Sequence, residues 1–416
     1  MIFHASGILD PAMPLPGNVQ GPRGPVWKHA ATPIVGLDPR VRPGWLDSGH
    51  VLRMPVRGVR EAEPGADVLI WMEQGGVRVP LVTGDPGARV CLHFDVRATF
   101  EHILFEQYCP PVRKPMLASA PFDYHKIPGP VRGAAARVLT TATGRFQKNS
   151  ETSFPSYPIE KSVEAVLQAM SLCCGKTIAK PGLRVMLTHD VDEAGSVPGI
   201  AALSHAELER GVASAWFVAG KVFRSHEKQI EALKNTGHEI GLHGTQHDLR
   251  FAFLSEQRMR DRLDSVADYL ERFGVAGFRS PFYLRTDLMF QVLAERFSYD
   301  SSVPDTDHCS TGATARGCGV LHPFMRGSLV EIPVAIPFEI PWMGGLPPKK
   351  LVAYWSEKMD FAQASGGLFV VNTHSDAHMS SRPSLRGAYC ELLDELKTRE
   401  AQFLLPRDVA GALGHA

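Results

Sequence analysis

From Leu183 onward the chain repeats one unit, an apolar run of strand length followed by an amphipathic stretch of helical length, and this alternation limits the available folds more than any other feature. LRVMLTHDVD reads as a buried strand, IAALSHAELERG as a helix, ASAWFVAG as a strand and EKQIEALKNTG as a helix. HEIGLHG is the next strand, SEQRMRDRLDSVADYLERFG one long helix, and GFRSPF another strand. Strands separated by helices lie parallel, because a parallel pair needs a crossover connection that no tight turn can supply. At least five repeated units suggest a barrel, with reactive groups gathered at the C-terminal ends of the strands.

The preceding residues read differently. A chain of 416 residues exceeds the ordinary domain, so two are expected, with a boundary near residue 160. Residues 1–45 hold eight prolines and six glycines, which predicts extended loop wrapped over a neighbouring domain. VLIWMEQGGVRVPLV, from Val68, places two apolar runs around Gly75 and Gly76 as in a β-hairpin, and ATFEHILFEQYC over 98–109 has helical spacing. Together they suggest a small α/β unit. QKNSETSFPSYP at 147–158 reads as a linker, and EKSVEAVLQAMSLCC as the helix leading into the second domain.

Lys+Arg and Asp+Glu both number 44, so no net field exists to hold nucleic acid or an anionic membrane. The N-terminus lacks a basic segment ahead of an apolar run, and nowhere do about 18 apolar residues run unbroken. A cytoplasmic location with no membrane span is the expectation. The seven cysteines include no CxxC pair, so neither a thiolate zinc site nor a disulfide framework is indicated, and adjacent Cys173 and Cys174 read as packing residues.

Four strand ends carry unusual residues. Thr188-His189-Asp190-Val191-Asp192 sets two carboxylates on one strand face, since alternate residues point the same way. Two acids on an apolar floor are costly unless a cation neutralises them or they share a proton. His243 and His247 lie four apart at a strand-to-helix turn and can grip one ion, for which zinc suits two imidazoles and a carboxylate. That spacing is weak evidence alone, for His374 and His378 repeat it, and the absence of Glu after His243 argues against an HExxH protease. Arg279 of FRSPFY could pair with an aspartate at the barrel mouth, while Pro281 would turn the Phe282 amide outward as an oxyanion donor. His374 closes the buried run FVVNTH and is a natural general acid for a leaving amine.

In order and spacing these segments resemble the polysaccharide deacetylase family, the carbohydrate esterases that share the NodB homology domain. The resemblance runs over about residues 182–412, through AWFVAGK, EALKNTGHEIGLHGTQH, FRSPF, LVEIPVAIP and VVNTH, and leaves residues 1–160 outside it. It implies an α/β fold, a distorted TIM-like (β/α) barrel of about seven strands over residues 161–416, beside the additional N-terminal α/β domain that the residues themselves suggest over 1–160. It also implies a divalent metal held by Asp192, His243 and His247, zinc first, with cobalt, nickel, iron or manganese as alternatives. Asp190 would be the general base, Arg279 its holder, His374 the general acid and the Phe282 amide an oxyanion donor.

Three departures stand out. Val191 separates Asp190 from Asp192 where the family has adjacent aspartates, so base and ligand could be exchanged. Phe282 replaces a tyrosine. The family's aspartate-tryptophan motif, which positions the acid histidine, has only Asp300, Asp305 and Asp307 as candidates, none with a tryptophan in place.

The expected activity is metal-dependent hydrolysis of an amide, removing acetyl from an N-acetylated sugar or glycan precursor. Hydrolysis of a non-sugar amide on the same site is the alternative, separated by pocket walls at Phe282, Tyr283, Phe338, Trp342 and Met343. A sugar-binding barrel without turnover is the third reading.

Overall fold

A computed structural model describes residues 19–20, 32–115, 154–176, 182–307 and 316–412. The N-terminal unit is a six-stranded sheet, built from β1 (Val19–Gln20), β2 (Ile34–Leu37), β3 (Leu52–Arg53), β4 (Val68–Gln74), β5 (Val77–Gly84) and β6 (Val90–Leu92). The strands run in the order β1-β6-β5-β4-β2-β3. Gly75 and Gly76, with φ of +59° and +79°, make the expected hairpin turn, a backbone conformation that side chains resist. The expected loop over residues 1–45 is corrected where it is described, since β2 and a 3-10 turn at Pro39–Val41 form within it; residues 1–18 and 21–31 lie outside the described residues. Helix Val96–Leu104 starts on Asp95, whose side chain accepts from the Ala98 amide. It ends before the predicted 109 because Glu106 turns left-handed, at φ +54°.

The second sheet comprises β7 (Arg184–Val191), β8 (Ala215–Val218), β9 (Glu239–Leu242), β10 (Gly277–Phe278), β11 (Tyr299–Asp300), β12 (Phe324–Arg326), β13 (Leu329–Glu331), β14 (Ile336–Pro337), β15 (Leu368–His374) and β16 (Gln402–Phe403). Its order is β12-β13-β11-β10-β9-β8-β7-β15-β14, with β16 beside the start of β7. All pairings are parallel except that of edge strand β12. The alternation therefore produced a mixed α/β fold whose parallel sheet curls as a half-barrel. LVEIPVAIP, expected to be one strand, is two: β13 pairs with β11, and β14 pairs with β15. Between them the Val334 amide reaches Val303 at 3.1 Å and the Ala335 amide reaches Val370 at 3.0 Å, so this one segment passes from one side of the curl to the other.

Alternation along the strands sorts the core. Met186, Phe217, Tyr299, Val330, Ile332 and Val370 belong to a buried cluster of their own that fills the inside of the curl. Their outward neighbours join a larger cluster under the helices, and that cluster runs on without a break into the N-terminal sheet. Helix Ser162–Cys173 is buried almost throughout and ties the two units: Trp45 donates to Gln168 at 2.7 Å and the Arg53 amide to Ser162 at 3.0 Å. Cys173 is buried in the core and Cys174 packs against it, as packing residues do, and Phe154 and Tyr157 of the predicted linker are buried.

The predicted long helix after β9 is two, Glu256–Asp264 and Ala267–Phe273. The break falls where the Ser265 hydroxyl bonds back to the Arg262 carbonyl at 2.7 Å and where β-branched Val266 is buried, two local features that oppose a continuous helix. No helix among the described residues is long and apolar enough to cross a membrane.

Candidate functional site

The C-terminal ends of β7, β9, β10 and β15 meet at one end of the curl. Asp190, on β7, stands opposite His374 of β15, and Asp192 follows two residues on, with its side chain on the same face. His243 follows β9, its amide donating to Val218 of β8 at 2.9 Å. Gly244 comes next at φ +61°, and a Cβ there would lie 2.9 Å from the Pro281 ring, so glycine is what lets this turn lie against the one after β10. His247 is itself left-handed, at φ +53°.

Through these turns the structure brings Asp192, His243 and His247 together. One ligand atom from each lies within 4.8 Å of the others, and Asp192 Oδ1 is 3.3 Å from both imidazole Nε2 atoms. That oxygen is sealed from solvent and meets the two imidazoles without a well-aligned hydrogen bond, a placement natural for a carboxylate that shares a cation with them. His243 Nδ1 faces the Arg279 carbonyl at 3.1 Å, a contact that orients the ring with Nε2 toward the acids. Burial alone would raise the Asp192 carboxyl pKa, but His247 and His243 hold it well below the usual carboxylate range. The donor set therefore fits a divalent ion.

Asp190 occupies a different environment. Its Oδ1 accepts from Arg279 Nη1 at 3.0 Å and its Oδ2 from Asn372 Nδ2 at 2.9 Å, while His243 and His374 each present Nε2 at 3.9 Å. Burial opposes ionisation of Asp190, and His243, Arg279 and His374 together outweigh it, so its pKa is lowered. Arg279 is fully buried, stacks on Phe217 at 4.1 Å and also bonds Thr188, Asn372 and both Oγ and the carbonyl of Ser301. A guanidinium locked this way has one geometry, so the carboxylate it holds has one too.

His374 finds its partner outside the expected set. Glu339 Oε2 lies 3.3 Å from His374 Nδ1, and Glu339 Oε1 accepts from the His374 amide at 2.7 Å and the Ser380 hydroxyl at 2.6 Å. The three aspartates proposed for this duty are engaged elsewhere: Asp300 with Ser302, Asp305 with Lys358 and Asp307 with Arg285. Burial alone would lower the His374 pKa, yet the Glu339 carboxylate, aided by Asp192 and Asp190, pushes it up to about 10. In metal-free protein Glu339→Gln is expected to drop the NMR titration midpoint of His374 by about 1–3 units. A midpoint that stays put would mean that the two aspartates hold the proton unaided.

Phe282 is exposed, its ring 5.7 Å from that of His247, and it and Tyr283 both have positive φ, +55° and +54°. Among the other expected pocket walls, Phe338 is fully buried against Tyr389, while Trp342 is half-buried near Arg382. Sequence inspection missed Asn372 and Glu339. Asn372 stands two residues before His374 on the same strand face, a signal that was available; Glu339 carries a tryptophan three residues on, at 342, but precedes it with glutamate where aspartate was sought.

The family model described as polysaccharide deacetylase matches residues 179–295. No curated protein matches the chain. Among solved structures, a candidate polysaccharide deacetylase from Mycobacterium smegmatis is 21% identical, with 57% of this chain and 92% of that one covered and a TM-score of 0.45. PuuE allantoinase is 14% identical over 56% of this chain and 91% of its own, at a TM-score of 0.44. A family 4 carbohydrate esterase from Streptomyces lividans, in complex with acetate, is 15% identical over 54% and 92%, at 0.37.

Proposed function

We propose that this chain, a hydrolase of non-peptide carbon–nitrogen bonds belonging to the polysaccharide deacetylase family through residues 179–295, removes the acetyl group from an N-acetylated sugar or glycan precursor. The observation that carries the reading is the convergence of Asp192, His243 and His247 beside a second, arginine-held carboxylate, with a carboxylate-backed histidine across from it. Those three residues would hold a divalent ion, zinc first by donor type and cobalt, nickel, iron or manganese otherwise. When bound, such an ion supplies Lewis acidity toward water and the amide carbonyl.

The remaining steps belong to side chains. Asp190, kept ionised and aimed by Arg279 and Asn372, takes a proton from the attacking water as its oxygen bonds to the carbonyl carbon. The backbone amide of Phe282 donates to the oxygen on which charge develops. His374, protonated at neutral pH under the influence of Glu339, gives its proton to the nitrogen as the C–N bond breaks, releasing acetate and a free amine. None of the reacting groups comes from residues 1–160, which are read as an accessory domain.

Acetate release tests the reading. Purified protein supplied with zinc or cobalt is expected to act on nucleotide-linked or oligomeric N-acetylhexosamines with kcat/KM at least about 10-fold above that on small linear or ring amides, the scale on which a few pocket contacts discriminate. Metal-loaded protein that releases acetate from no N-acetyl sugar, or prefers the ring amide, would overturn it.

A further inference from the structure

One residue of the N-terminal unit reaches the framework behind Asp190. Glu106, buried just beyond helix Val96–Leu104, binds both arms of Arg285, with Nε at 2.5 Å and Nη2 at 2.6 Å, and accepts from the Gly317 amide at 3.0 Å. Arg285 Nη1 in turn donates to the Tyr283 carbonyl at 2.7 Å, and Nη2 also donates to Asp307 at 3.0 Å. The Tyr283 hydroxyl accepts from Asn372 Nδ2 at 2.7 Å, the same nitrogen that bonds Asp190. An amide nitrogen has two hydrogens, so both bonds form together and fix the Asn372 plane.

The Pro281–Tyr283 turn needs outside support. Two successive aromatic residues at positive φ cost about 1–3 kcal/mol each and persist only where surroundings over-determine them. The Arg285 guanidinium on the turn's own carbonyl is such a constraint, and a buried guanidinium requires buried countercharge. Glu106 supplies the bidentate share of it, and Glu106 is itself left-handed. Its end of the helix is docked independently: Arg326 lies 4.5 Å from the Phe105 ring and 4.1 Å from that of Phe290 and donates to the Leu104 carbonyl, a cation at a helix C-terminus.

We propose that Glu106 is a positioning residue for the reaction: through Arg285 it holds the Pro281–Tyr283 turn so that Tyr283 fixes Asn372 and hence the Asp190 carboxylate. The N-terminal unit thus completes a site whose reacting groups all lie elsewhere. This role rests on the deacetylation reading for its kinetic consequence and on geometry alone for its structural one.

A double-mutant cycle separates positioning from general stability. Glu106→Gln and Tyr283→Phe are each expected to lower kcat by about 10- to 100-fold with KM nearly unchanged, and the double variant to be no slower than the worse single one. Additive losses would overturn the proposal. Amide hydrogen exchange supplies the readout that needs no substrate: in Glu106→Gln the Tyr283 and Leu284 amides, which donate to Ser280 and Pro281, are expected to exchange about 10-fold faster while those of β9 do not change. Unchanged exchange overturns the proposal whatever the enzyme hydrolyses. Faster exchange in a protein whose wild type releases no acetate would sink the deacetylation reading and leave the positioning role standing. Should Glu106→Gln not fold, Arg285→Lys, which keeps the charge but cannot bridge Glu106 and the Tyr283 carbonyl in one plane, carries the same expectations.

Discussion

Asp190→Asn is expected to lower kcat by about 10²- to 10⁴-fold, the usual contribution of a placed general base, while the protein still binds one equivalent of metal. The substitution preserves shape and leaves Asp192, His243 and His247 untouched. It removes the proton acceptor and the countercharge to Arg279, 3.0 Å away. Metal analysis alongside acetate release distinguishes the outcomes. Loss of metal with loss of activity would assign Asp190 as a ligand, exchanging the roles of the two acids. Full activity would remove it from the chemistry. Sugar binding with no turnover in the wild type would favour a binding barrel, the reading that a clean kcat defect excludes.

The second large effect concerns the ion. Exhaustive chelation, or either His243→Ala or Asp192→Ala, is expected to lower kcat/KM by about 10³-fold or more, because the several kcal/mol of charge stabilisation that a metal supplies disappear at once. Activity should return to the chelated wild type on adding zinc or cobalt, and should not return to the variants at equal metal. Asp192 is the more telling of the two, since its Oδ1 lies 3.3 Å from both imidazole Nε2 atoms, at the centre of the candidate ligand set. A chelated enzyme at full rate would end the metal proposal.

The geometry behind these expectations was partly legible beforehand. Asp190, Asp192, His243, Arg279 and His374 could be picked out because each ends an apolar run, and in a parallel sheet such ends gather at one face. Period-2 alternation placed Asp190 and Asp192 on the same side before any fold was known, and it would have added Asn372 had it been followed back from His374. The structure then separates the two acids: Asp192 stands 3.3 Å from two imidazoles, whereas Asp190 is turned toward Arg279 and Asn372. Secondary structure was misread where local propensity competes with packing, as at Ser265–Val266, and where one segment serves two neighbours, as between β13 and β14.

Taken by itself, the sequence determined the parallel α/β architecture and the kinds of group at its reactive end, because strand alternation, helix periodicity and residue chemistry are local properties written within a dozen positions. Only the tertiary structure decided which acid backs His374, which groups bond Asp190 and which residue before the matched segment reaches Arg285. Glu339 lies 35 residues from His374, Asn372 lies 182 from Asp190, and Glu106 lies 179 from Arg285. Contacts over such separations depend on strand register, loop path and the docking of one unit on another, and a side chain buried by them acquires its partner, its charge state and its role only once the chain has closed around it.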